Sequence, residues 1–271
     1  ALKSIQASIR VCWSQSTLAA VRSTNRIRVW IARLDRLLPP ELHDVIFGVM
    51  LERDLEKKLC SDRKGLFSSL KHSIRSKSVL RAMQRVPREV FVPIEERHSA
   101  YLDIPLAIGA GQTISQPYVV ALITEALRLQ PTDKVLEVGT GSGYQAAVLA
   151  ELVPEGKVVT VELVRRLAQQ ARDRLDDLGY KNILVEEASE SLGCSSRGPY
   201  DAIVVSAAAP CLPLTLISQL AVGGRMVIPV GDRDQQELVC ALRTGEGVSL
   251  QMLGPCRFVP LIGHEAFPPT V

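Results

Sequence analysis

Apolar positions along the chain change their rhythm twice. From Val29 to Lys58 they recur every three or four residues, the period of one helix face, and Pro39 and Pro40 stand where proline opens a helix over "ELHDVIFGVMLERDLEKKL". Gly65 reads as an interruption of this run. "SVLRAMQRVPREVFVP" then reads as a short helix stopped by Pro87 and an extended stretch ending at Pro93.

Beyond Gln116 the element types alternate regularly. "PYVVALITEALRL" predicts a helix with proline in its first turn, "KVLEV" a short apolar strand, "YQAAVLAELV" a helix and "KVVTVEL" a second strand. "VRRLAQQARDRLDDLG" has helical spacing and ends at Gly179, "NILVEE" is a strand, and "YDAIVVSAAAP" is a strand running into a loop. "LPLTLISQLAVGG" reads as a helix with a glycine stop. Strands separated by helices predict a parallel sheet covered on both faces. "GRMVIPVG", "ELVCALRTG" and "GVSLQML" follow with no helix between them, so the sheet is expected to finish in antiparallel strands. The predicted fold is α/β: a doubly wound, mostly parallel sheet with antiparallel edge strands over residues 65–271, preceded by a basic helical extension over residues 1–64.

Composition narrows the partners. Apolar residues make up 46% of 271, enough for a sizeable core, and no run approaches the eighteen or so uninterrupted apolar residues of a membrane span, so no membrane is expected. The six cysteines show no C-x-x-C pair and no histidine in zinc-ligand spacing. No metal is therefore expected, and the thiols read as reduced, small buried hydrophobes of a cytoplasmic protein. The net charge of +3 conceals an asymmetry: residues 1–34 hold six bases and no acid, leaving 26 bases against 29 acids in the remainder. That leader reads as a poorly defined extension, with an organelle-targeting segment as the alternative. Its arginines form no clean basic face, so no nucleic acid is expected, and the chain is read as a monomer.

Chemistry concentrates at "EVGTGSGY", at the end of the first predicted strand. A ligand of such a sheet sits beyond the carboxyl ends of its strands, and Gly139, Gly141 and Gly143 let the backbone turn sharply and approach it closely. Nineteen residues after Gly143, Glu162 ends the next strand, where a carboxylate can accept from both hydroxyls of a ribose. The dinucleotide fingerprint requires glycine where this chain has Tyr144, which disfavours a pyrophosphate. Glu137 would repel phosphate and attract a cation. A sulfonium nucleoside, S-adenosylmethionine, meets both conditions; a simple tight turn is the plain alternative.

Upstream, "AGQTISQPYVV" sets small polar groups against a helix start, where Ser115 either caps the first turn or faces a ligand. "VLEVGTGSGYQAAVLAELV", with "IGAGQTISQPYVVALITEAL", "RVPREVFVP", "YDAIVVSAAAP", "GGRMVIPVG" and "RFVPLIG", closely resembles the protein-L-isoaspartate O-methyltransferase family over about Leu66 to Gly263. "GQTISQP" is its most specific part. The resemblance implies a sheet of the S-adenosylmethionine-dependent methyltransferase type and methyl transfer to the free α-carboxylate of isoaspartyl residues in damaged proteins and peptides. It implies a repair in which the ester collapses to a succinimide. It assigns Ser115 to the active site and lays Gln112, Thr113 and Ile114 over the cofactor, which Glu137, Gly139, Thr140, Gly141, Gly143 and Glu162 would hold. Thr113, Ser115, Val259, Pro260 and Leu261 would line the substrate cleft, whose plain alternative at Pro260 is an edge strand.

One turn departs from the family. Where its members carry Gly-Asp-Gly against the adenine amino group, this chain reads "ASES", Ala188 to Ser191. Ser189 can still accept a hydrogen bond without the charge-assisted component, and Glu190 can substitute if the turn is redrawn. That departure keeps two other readings open: a methyltransferase-like binding module with weakened catalysis, and a methyltransferase with another acceptor.

Overall fold

In a computed structural model of the chain, residues 40–268 are described, and the basic leader and the predicted helix before Pro40 lie outside them. The chain divides into two compact units, Ala1–Ser61 and Asp62–Val271. Helix α1 is Pro40–Ser73. Gly65 does not interrupt it. A helical glycine costs about 1 kcal/mol against alanine, and burial of Leu66, Phe67, Leu70 and Ile74 around it outweighs that cost at about 1.5–3 kcal/mol per large side chain. Helix α2, Lys77–Arg85, is capped by the Ser76 hydroxyl and ends before Pro87 as expected. The stretch after it is not extended: Arg88–Phe91 and Ile94–Ser99 are 3-10 turns.

The "IGAGQTI" segment forms a hairpin of its own, β1 (Leu106–Gly109) and β2 (Gln112–Ile114). Its two-residue turn, Ala110 and Gly111, has φ of 52° and 70°, the left-handed pair that hairpin twist favours. These strands were missed in the sequence because three or four residues are too short to display an alternation. Helix α3, Pro117–Leu127, follows directly.

The long sheet contains β3 (Lys134–Val138), β4 (Lys157–Glu162), β5 (Ile183–Glu187), β6 (Tyr200–Val205), β7 (Leu220–Gly231), β8 (Gln236–Arg243) and β9 (Val248–Cys256). Its order is β5-β4-β3-β6-β7-β8-β9. The pairs from β5 to β7 are parallel, and β7–β8 and β8–β9 are antiparallel. This is the doubly wound sheet with antiparallel edge strands that the alternation predicts. Helices α4 (Tyr144–Leu152) and α5 (Arg165–Asp177) connect the parallel strands. The core is centred on β3 and β6, where Val135, Leu136, Ile203, Val204 and Val205 have no solvent exposure. The strand order reverses between β4 and β6 around β3, and a crevice opens there at the carboxyl ends.

The helix expected over "LPLTLISQLAVGG" is only one short turn, α6, Leu214–Ser218. Arg243 ends it by donating to the carbonyls of Ser218 and Leu220, and β7 begins at Leu220. Gly223 and Gly224 lie in that strand, where its register against β6 shifts, instead of stopping a helix. The cysteines also depart from expectation. Among the described residues none is in a disulfide, but only Cys240 is buried, and Cys60 and Cys211 are exposed.

Gly143 starts α4 with φ of 89°, and a Cβ there would lie 3.3 Å from the Leu175 Cδ1 and 3.4 Å from the Ala171 Cβ. Gly143→Ala therefore combines a disfavoured backbone with a crowded side chain. We expect it to lower stability by about 1–3 kcal/mol in urea unfolding; an unchanged midpoint would contradict this.

Candidate active site

The turn after β3 is folded back onto the tip of β4. The amides of Gly139 and Thr140 both donate to the Val161 carbonyl, at 2.9 and 3.2 Å. The Gly141 amide donates to Glu162 Oε2 at 2.8 Å, and the Val164 amide donates to Oε1 at 2.9 Å. Glu162 is thus fixed by one backbone amide on each oxygen, with further lone pairs on each left for a ligand. The hairpin closes over the turn: a Cβ on Gly141 would meet Ile108 Cδ1 at 3.4 Å.

Beneath the turn lies a polar relay inside the sheet. The Thr140 and Thr160 hydroxyls are 2.6 Å apart, and Thr160 Oγ1 donates to Glu137 Oε2 at 2.6 Å. Glu137 has no solvent exposure, and its Oε1 has no hydrogen-bond partner. Burial raises its pKa to about 8, with the Thr160 bond opposing and the nearby Glu162 charge adding to the rise. This corrects the picture of a standing negative charge at the strand tip. Desolvation keeps the carboxyl mostly protonated at neutral pH, and a cation or donor placed at Oε1 would be needed to draw the charge out.

These groups share one cavity of ≈ 310 Å³, at the lower end of the range for cofactor sites. Gln112, Thr113, Ile114 and Ser115 line one wall, and Glu137, Gly139, Thr140, Gly141 and Glu162 the floor. Ser189, Glu190, Val259, Pro260 and Leu261 line the remaining sides. Of the residues singled out in the sequence, Gly143 alone does not line it; Gly143 serves the entry to α4 instead.

Ser115 does not cap α3. The N-cap position is Gln116, without a side-chain cap bond, and an exposed carboxylate, Asp103, accepts from the Tyr118 amide in the first turn at 2.8 Å. The Thr113 and Ser115 hydroxyls make no hydrogen bond within the described residues. Pro260 is not in an edge strand either. Ala208 donates to the Val259 carbonyl and accepts from the Leu261 amide, at 2.8 and 2.7 Å, which pins this segment across the end of β6 as a cavity wall. In the "ASES" turn, Ser189 Oγ donates to the Ser191 carbonyl at 3.1 Å, so the hydroxyl faces other partners as an acceptor.

Sequence reading overlooked Thr160, whose hydroxyl joins the turn to Glu137. Its signal was present: a lone hydroxyl in the apolar run "KVVTVE", two residues before Glu162 and on the same face of the strand. Gln145 and Leu192 also line the cavity and were not singled out.

The glycine turn, the unpartnered buried carboxyl and the bridged Glu162 suit a nucleoside bearing positive charge. Comparison with known proteins agrees. The family model described as protein-L-isoaspartate(D-aspartate) O-methyltransferase (PCMT) matches residues 61–266. A protein-L-isoaspartate O-methyltransferase of Ignicoccus hospitalis is 54% identical over 194 residues, 71% of this chain and 92% of the relative. One from Methanothermobacter thermautotrophicus is 52% identical over 197 residues, 72% and 91% of the two chains. A solved structure of a beta-aspartate methyltransferase (PCMT) from Plasmodium falciparum, in complex with S-adenosyl-L-homocysteine, superposes with a TM-score of 0.64 at 26% identity, covering 73% of this chain and 96% of that one. With a family match across three quarters of its length and relatives more than half identical, the chain belongs to the protein-L-isoaspartate(D-aspartate) O-methyltransferase family.

Proposed function

We infer that this chain methylates the free α-carboxylate of isoaspartyl residues, with S-adenosylmethionine as donor and the cavity at the β3–β4 tips as the site. The observation that carries the assignment of the site is a convergence. One cavity holds a buried carboxyl with an unpartnered oxygen and, on another wall, two hydroxyls with no internal hydrogen bond. The first suits a cationic donor, and the second an anionic acceptor.

When bound, the cofactor would supply an electrophilic methyl on a sulfonium; the carboxylate oxygen would provide the electron pair of the new bond, and the pair of the broken sulfur–methyl bond would stay on sulfur and leave it neutral. The acceptor carboxylate is already ionised at neutral pH, since carboxyl groups titrate near 4, so no general base is required of the chain. Its task is placement: Thr113 and Ser115 donate to the acceptor, while Val259, Pro260 and Leu261 close the opposite side and exclude water. Glu162 holds the ribose. The Ser189 hydroxyl accepts from the adenine amino group in place of the family's aspartate, with Glu190 beside it.

We also read the protein as working in a reducing, cytosol-like compartment, supported by five thiols outside any disulfide among the described residues.

The decisive assay compares an isoaspartyl peptide with its normal aspartyl twin, using methyl-labelled S-adenosylmethionine. Label is expected in the isoaspartyl peptide alone; equal labelling of both, or none with cofactor bound, would overturn the acceptor. Ser115→Ala is expected to lower kcat/KM for the peptide about ten- to a hundredfold, the worth of one hydrogen bond to a charged group, with cofactor affinity unchanged. An equal loss in both would mean that Ser115 only supports the fold. Glu137 predicts a pH trend in the unliganded protein. Its folded pKa of about 8 lies above the ordinary carboxyl value of 4.5, so its stabilising proton is fully held below pH 4.5 and lost as pH rises through 8. Melting temperatures of the wild type should fall relative to Glu137→Gln across that window; parallel curves would refute the shift.

A further inference from the structure

Behind the wall that carries Ser115 lies a buried arginine that the chemistry above does not use. Arg88 begins the 3-10 turn after Pro87 and has no solvent exposure. It forms no salt bridge with any acid among the described residues. Asp103 acts on it electrostatically, but that carboxylate is exposed and accepts from the Tyr118 amide. Instead Arg88 Nε donates to the Ala100 carbonyl and Nη2 donates to the Ser115 carbonyl, each at 2.8 Å. Its Nη1 has no hydrogen-bond partner, and its guanidinium lies 4.9 Å from the centre of the Tyr144 ring. Tyr144 is the first residue of α4, at the end of the glycine turn, and it lines the cavity, as Ser115 does.

Burying a cation without a paired carboxylate is costly, and removing its solvation lowers its pKa. A side chain needed only to fill space would be apolar. What the guanidinium supplies, and an apolar group or an ammonium does not, is a rigid fork that ties two carbonyls from separate segments while its charge lies close to a ring. One tooth of that fork holds the backbone of the residue whose hydroxyl faces the acceptor.

We propose that Arg88 is a positioning residue: it fixes the Ser115 backbone between Ala100 and Tyr144, and so sets the acceptor hydroxyl against the donor side of the cleft. The inference rests on the assignment of Ser115 to the acceptor. Glu162 and Glu137 are held by bonds that do not pass through this fork.

The test measures three quantities for wild type, Arg88→Lys and Arg88→Met, all below the unfolding midpoint: S-adenosylmethionine affinity by calorimetry, kcat/KM for an isoaspartyl peptide, and melting temperature. Arg88→Lys keeps the charge but loses the fork. It is expected to bind the cofactor within about threefold of wild type while kcat/KM falls about a hundredfold, the scale of a misplacement near 1 Å. Arg88→Met should fall at least as far; should it not fold, the lysine variant decides alone. Cofactor affinity falling in step with kcat/KM, or a lysine variant as active as wild type, would overturn the proposal. A wild type that ignores isoaspartyl peptides would instead sink the acceptor assignment, so the two failures are distinguishable.

Discussion

The site depends on one constraint: the turn after β3 must fold back onto the tip of β4. Three consecutive amides, those of Gly139, Thr140 and Gly141, donate across that gap, two to the Val161 carbonyl and one to Glu162. Glycine at 139 and 141 is favoured by φ of 97° and 52°. With the turn docked, Glu162 is immobilised, Thr140 reaches Thr160, and the hairpin carrying Gln112 to Ile114 has a surface to close upon. The parallel pairing of β3 with β4 brings these parts together, because equal registers place Val138 opposite Val161 at the same end of the sheet.

A second consequence follows for charge. Glu137 is the penultimate residue of β3, paired with Thr160, where ionisation is opposed by burial. On the proposed function, the cationic cofactor would draw that charge out. Glu162 contributes differently, since both of its oxygens are held by backbone amides and its role is geometric. Two acids that look alike in the sequence, each at or near a strand end, are separated by their surroundings into a responsive group and a fixed one.

Much of this was legible in the sequence because the central strands are buried on both faces. "KVLEV" and "KVVTVE" could only be short apolar strands, and the glycines between strand and helix marked the crevice. The errors came where long-range partners decide local structure. Arg243, on β8, ends α6 and starts β7, which nothing within "LPLTLISQLAVGG" announces. Gly65 stays helical because its neighbours are buried. Ser115 resembled a cap until Gln116 was found in that position. The state of Glu137 and the role of Arg88 were invisible for the same reason: burial and the partners that face a group belong to the fold, and a residue's identity does not reveal them.

If a largely neutral Glu137 ionises to meet the sulfonium cofactor, binding must expel a proton. Calorimetric titration of S-adenosylmethionine near pH 7, repeated in buffers of different ionisation enthalpy, counts that proton directly. Release of close to one proton, abolished in Glu137→Gln, is the expected result. Binding with no proton exchange, or the same release from the glutamine variant, would contradict the assignment of Glu137 as the group that recognises the cation.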